Sequence, residues 1–112
     1  MIRPGGQGHW ITDELMESNF TATTTLPKNI KAGNYVLRHE IIALHGARDD
    51  NGAQSYPQCV NVKIGGNGKI APRAGIAGTA LYSRTEPGMK FDLYANPTSY
   101  PFPGPSLWTE AN

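Results

Sequence analysis

The chain is short of most features that commit a sequence to a common functional class. It has a single cysteine, Cys59, and with no second cysteine there is no Cys-x-x-Cys metal pair and no internal disulfide. It has no long apolar run. The longest, Ile41-Ile42-Ala43-Leu44, falls far below the roughly 20 residues that cross a bilayer as a helix, which excludes a helical membrane span. It has almost no net charge, +1 over 112 residues, and its basic residues are scattered. That excludes the electrostatic footprint of a nucleic-acid or anionic-membrane partner. Met1-Ile-Arg-Pro-Gly-Gly-Gln-Gly8 lacks the apolar core and small-residue cleavage site of a secretory signal. Asn19-Phe20-Thr21 is a glycosylation sequon, whereas Asn96-Pro97-Thr98 is blocked by its proline.

Glycine (13) and proline (9) are plentiful, which fits short strands and frequent turns. A short helical turn is predicted within His9–Ser18, with Thr12 or Asp13 near its start. Phe20–Leu26 is rich in β-branched residues and stops at Pro27, predicting a strand. Tyr35–His45 is the best strand. Its two alternating faces differ little in polarity, so it is expected to be covered on both sides. Tyr56–Ile64 is the returning strand, with Pro57 at its start or at a sheet edge. Met89–Tyr94 alternates as a strand, Thr79–Ser83 is a short extended segment, and the prolines of 96–105 exclude a helix. The expected fold is all-β: an immunoglobulin- or fibronectin-III-like β-sandwich, incomplete because only four to six strands are visible where about seven are usual, with long irregular loops. Residues 1–112 are read as part of a single domain.

One cluster looks chemical. A polar loop joins His45 to Gln54, and Gln54 and Tyr56 are two residues apart on one strand face, so an imidazole, an amide and a phenol converge on one end of a hairpin. Such groups orient a small oxygen species, and a phenol oxygen also approaches a metal; equally, they close a hairpin end as a polar network. A tri-histidine zinc site is excluded. His39 lies six residues before His45, nearly 20 Å away along a strand at about 3.3 Å per residue, far beyond a shared ion about 2 Å from each ligand. Arg38 and Glu40 share a face and are read as a structural ion pair. Cys59 is either a buried free thiol or half of a disulfide with a partner outside these residues.

The runs Gly33–His45 and Gly52-Ala-Gln-Ser-Tyr-Pro-Gln-Cys59 resemble the fungal, cellulose-active lytic polysaccharide monooxygenases, once classed as endoglucanases. The likeness continues through Trp10-Ile-Thr-Asp13, Gly78-Thr-Ala-Leu-Tyr82, Glu86-Pro-Gly88 and Tyr100-Pro-Phe-Pro-Gly-Pro105. The resemblance implies a secreted copper enzyme that cleaves cellulose or a related β-glucan oxidatively, with oxygen or peroxide and an external electron donor. It matches Tyr56 to the family's axial tyrosine at copper, and His45 and Gln54 to the pair that holds the oxygen species. Tyr100 matches a tyrosine of the flat substrate face, and Cys59 a cysteine that the family pairs with one upstream. It also covers only the carboxy-terminal half of the family's catalytic domain. Neither His9 nor His39 matches the two histidines that brace the copper, so the chain as written is expected to bind copper poorly and to be catalytically incompetent. The competing expectation is a non-catalytic β-sandwich that binds polysaccharide through aromatics such as Tyr100 and Trp108, or a structural remnant.

Overall fold

The computed structural model describes residues 9–112. Its regular elements are α1 (Ile11–Glu17), β1 (Gly33–Ala43), β2 (Gln54–Ile64) and a 3-10 turn at Gly78–Ala80. α1 lies where it is predicted. Its first turn is tied down by the Asp13 carboxylate, which accepts the Trp10 main-chain N–H at 2.7 Å, and Asp13 and Glu14 set negative charge against the positive end of the helix dipole.

β1 and β2 form a two-stranded antiparallel sheet whose register runs from Gly33 opposite Ile64 to Ala43 opposite Gln54. Opposed residues share a face, so Ile41 with Tyr56 and Ala43 with Gln54 lie on one side, while Glu40 with Pro57 and Ile42 with Ser55 lie on the other. Pro57 stands inside β2, which a two-stranded sheet permits because each strand keeps one free edge.

β1 stops two residues before His45 because the chain turns there. Ala47, Asp49 and Gly52 donate main-chain N–H bonds to Leu44, Gly46 and Asp49 at 3.0–3.1 Å. This loop brings the backbone of Gly52 onto that of Gly46: a Cβ on Gly52 would lie 1.7 Å from the Gly46 carbonyl oxygen. Phe91 N–H donates to the Ala47 carbonyl at 2.9 Å, and the Lys90 ammonium pairs with Asp50, binding the later chain to the hairpin tip.

The predicted strand at Met89–Tyr94 is a series of turns instead. Met89 and Lys90 both bond back to the Glu86 carbonyl, at 2.9 and 3.0 Å, and the Asp92 side chain accepts Tyr94 N–H at 2.9 Å. These local bonds take the donors that a ladder needs. Thr79–Ser83 is not extended at its start either: Thr79 and Ala80 lie in the 3-10 turn, and Leu81–Ser83 enter no ladder. Residues 21–26 enter no ladder and are exposed throughout; their β-branched composition favours a strand, but no described segment lies alongside to supply its hydrogen bonds.

Burial is sparse. Only Leu44, Ala47 and Ala111 form the buried apolar set among the described residues, and Leu44 and Ala47 both belong to the hairpin tip. The sheet is bare: Leu37, Tyr56 and Val60 on one face and Val36 on the other are 39–62% exposed, which corrects the expectation of a strand covered on both sides. The radius of gyration is 16.3 Å, against about 13 Å for a compact chain of this length. Apolar sheet faces without a second layer do not make an independent core.

Candidate functional site

The register of the hairpin decides what meets at its tip. With Ala43 opposite Gln54 and Ile41 opposite Tyr56, the Gln54 and Tyr56 side chains stand on one face, and the Tyr56 hydroxyl donates to the Gln54 amide oxygen at 2.7 Å. That bond has a chemical consequence. The amide carbonyl is occupied, so both Nε2 hydrogens remain as donors, and the phenol oxygen keeps its lone pairs. Gln54 and Tyr56 are both exposed. His45 sits beyond the end of β1 in the loop, exposed, and forms no hydrogen bond to either partner among the described residues. The structure joins two of the three expected residues by contact and carries the third at the same end of the hairpin.

His45 also lines a cleft of about 440 Å³ walled by the end of β1, the start of α1 at Trp10–Thr12, and Leu93, Tyr100 and Phe102. Tyr100 is half-buried there. Its ring packs edge-on against Phe91 at 5.1 Å and Phe102 at 5.4 Å, and its hydroxyl donates to the Gly88 carbonyl at 2.7 Å. Burial raises the Tyr100 pKa above the usual tyrosine value. Gly88 admits no side chain, since a Cβ would stand 2.3 Å from the Pro101 oxygen, and Glu86 accepts from Ser83 N–H at 2.7 Å and Gly104 N–H at 3.1 Å. The Glu86-Pro-Gly88 and Tyr100–Pro105 segments are thus stitched to each other, with Phe102, 86% exposed, as the most open ring of the aromatic group. Trp108 is half-buried and its indole N–H is enclosed without a protein partner.

Sequence reasoning paired Arg38 with Glu40 but missed the third member of that group. The guanidinium donates to both Glu40 oxygens, one at 2.9 Å, and the Tyr82 hydroxyl donates to the same carboxylate. Arg38 above all, and Tyr82 with it, hold the Glu40 carboxyl down to a pKa of about 2 against the opposing effect of burial. The Tyr82 pKa is raised, chiefly by burial and by the neighbouring carboxylate. The bond crosses 42 positions, and no periodicity connects residues so far apart; the only sequence signal was the Gly78–Tyr82 block.

Cys59 is a free and exposed thiol opposite Arg38, which overturns the buried-thiol reading. Among the described residues no group of three His, Cys, Asp or Glu side chains is placed to hold a metal ion. Tyr56 offers one oxygen donor. These residues therefore do not fit a copper ion by themselves, because strong copper affinity comes from nitrogen ligands.

The sequence profile of Auxiliary Activity family 9 (formerly GH61) matches residues 2–101. AA9 family lytic polysaccharide monooxygenase F of Emericella nidulans is 57% identical over 100 residues, covering 89% of this chain and 40% of that protein. The corresponding figures for AA9 family lytic polysaccharide monooxygenase A of Gibberella zeae are 56%, 89% and 30%. Among solved structures, the extended catalytic domain of H. jecorina LPMO9A superposes with a TM-score of 0.90 at 44% identity, covering 100% of this chain and 45% of that one. Cel61B of Hypocrea jecorina gives 0.85 at 42%, covering 96% and 47%. The chain spans less than half the length of each, and the two-stranded sheet is one part of the β-sandwich that this family shares. The chain belongs to Auxiliary Activity family 9, the lytic polysaccharide monooxygenases.

Proposed function

We propose that this segment supplies the oxygen-handling side of a copper-dependent, secreted polysaccharide monooxygenase that cleaves cellulose or a related β-glucan with an external electron donor. The observation that carries the reading is the Tyr56–Gln54 hydrogen bond of 2.7 Å at the hairpin tip, in a chain whose relatives are named for this activity. Tyr56 would offer its phenol oxygen to the copper, which when bound would supply the oxidising chemistry, and the nitrogens that hold the metal would come from beyond residues 1–112. Gln54, its carbonyl engaged by Tyr56, presents amide hydrogens to an oxygen species; the His45 imidazole, exposed beside the cleft, donates from the second direction. Fixed donors of this kind orient a small ligand without reorganising during reaction. Tyr100 is held by Gly88 and its neighbouring rings, and with Phe102 forms the edge that meets the glucose rings. Residues 1–112 make up part of one sandwich domain, Cys59 is cross-linked to a cysteine outside them, and the isolated chain is inactive.

The test uses a chimera in which this chain replaces the matching 100 residues of the Emericella nidulans relative. His45→Ala and Gln54→Ala are each expected to lower oxidative turnover on cellulose about tenfold or more, as removal of other pre-placed donors does, while copper affinity changes little. Unchanged turnover in both variants removes their assigned role. A chimera that binds cellulose but oxidises nothing favours the polysaccharide-binding alternative.

A further inference from the structure

α1 closes in a way that leaves one side chain idle. Asn19 N–H donates to the Met16 carbonyl at 3.1 Å and Phe20 N–H to the Leu15 carbonyl at 2.7 Å, the paired bonds that end a helix through a left-handed residue. Asn19 is that residue, with φ of 53°, a conformation asparagine takes more readily than most side chains. The cap uses only the Asn19 main chain; among the described residues its carboxamide makes no hydrogen bond. Asn19, Phe20 and Thr21 are all exposed, Phe20 to 73%, and the Thr21 hydroxyl folds back to donate to the Asn19 carbonyl at 3.4 Å. An accessible amide and the hydroxyl of the third residue are what the Asn-x-Thr acceptor chemistry requires.

We propose that Asn19 is an N-glycosylation site, receiving its glycan from a lipid-linked oligosaccharyl diphosphate; access to that donor rests on the reading of the protein as secreted. Asn19 Nδ2 bonds to the anomeric carbon of the sugar as the bond from that carbon to the diphosphate oxygen breaks. The lipid diphosphate leaves with the electron pair, Nδ2 loses one proton, and nothing is oxidised or reduced. The molecule holds its own control. Asn96 is also exposed and left-handed, with φ of 52°, and Thr98 is exposed, yet Pro97 stands between them and bars transfer. Asn19 follows the carboxy-terminal end of α1, whereas Trp10, Ile11 and Thr12 at the opposite end line the cleft. At 1.5 Å per residue, the seven helical residues set the glycan about 10 Å from that wall. It shields Phe20 and Met16, the latter 55% exposed, and leaves the hairpin tip open.

The experiment translates the full 112-residue chain behind a cleavable secretory leader in the presence of microsomes, where the leader supplies export and transfer does not wait for folding. One glycan is expected, removed by peptide N-glycosidase with conversion of Asn19 to aspartate in the mass spectrum. Asn19→Gly, which keeps the left-handed cap, and Thr21→Val, which keeps Asn19, should each abolish it. Pro97→Ala should add a second glycan at Asn96. An unmodified parent chain in microsomes that glycosylate a reference protein overturns the proposal, as does a glycan that persists in Asn19→Gly. Failure of the chimera to oxidise cellulose sinks the functional reading and leaves this one standing.

Discussion

The Tyr56 hydroxyl spends its proton on the Gln54 carbonyl, 2.7 Å away across one residue of β2. That single bond fixes which end of the amide faces outward. Tyr56→Phe removes both the pin on Gln54 and the phenol oxygen. In the chimera with the Emericella nidulans relative, it is expected to change the copper electron paramagnetic resonance parameters and to reduce turnover, while costing at most about 1 kcal/mol of stability, as for a hydrogen bond near the surface. An unchanged spectrum contradicts the proposal that the Tyr56 phenol would lie against the copper.

Gly52 makes a sharper stability prediction. Its missing side chain would strike the Gly46 carbonyl oxygen at 1.7 Å, and the obstacle is backbone, which cannot step aside as a side-chain tip does. Gly52→Ala in the chimera is expected to lose about 1–3 kcal/mol, the usual cost of forcing extra volume into packed structure. That corresponds to a melting temperature lower by roughly 5 °C. Gly65→Ala, with nothing within 4 Å, should stay within about 0.5 kcal/mol of the parent. Thermal melts of the two variants decide the point.

Much of the hairpin was legible in the sequence. The alternation over Tyr35–His45 and Tyr56–Ile64 carries strand identity and face directly, and the polar, glycine-bearing loop between them marks the turn. What stayed hidden depends on partners distant in sequence. The Thr-rich stretch at 20–26 has strand composition, but a strand exists only where another supplies its hydrogen bonds, and none of the described residues does. Met89–Tyr94 alternates like a strand and is bent by Glu86 and Asp92 through bonds that no period encodes. The Tyr82–Glu40 contact is hidden for the same reason. The His45–Gln54–Tyr56 cluster was visible because a hairpin makes it local.

Glu40 gives a pH dependence with a definite sign. Its carboxyl is held at about 2 in the folded chain, below the unfolded value of about 4.3. The stability it contributes is present in full above the unfolded value and is lost as pH falls from there through about 2. The chimera is expected to melt at a lower temperature at pH 3 than at pH 6. Glu40→Gln should melt lower at pH 6 and show a flatter slope across the same interval. Equal slopes in parent and variant would place the acid sensitivity elsewhere.

Cys59 separates the isolated chain from the joined domain. It is an exposed free thiol here, so the 112-residue chain is expected to release one equivalent of chromophore with a thiol reagent and without denaturant. In the chimera, no thiol at Cys59 should react until a reductant is added. A Cys59 that titrates freely in the oxidised chimera rules out the cross-link to a cysteine outside these residues.

The most direct measurement is the release of oxidised oligosaccharides from microcrystalline cellulose by that chimera, supplied with copper, a reductant and oxygen or peroxide, beside the unmodified relative and the isolated 112-residue chain. Oxidised products are expected from the chimera and the relative, and none from the isolated chain. A folded, copper-loaded chimera that releases no oxidised sugar, or an isolated chain that releases it as the relative does, contradicts the assignment of His45, Gln54 and Tyr56 to one side of a copper site completed from outside this segment.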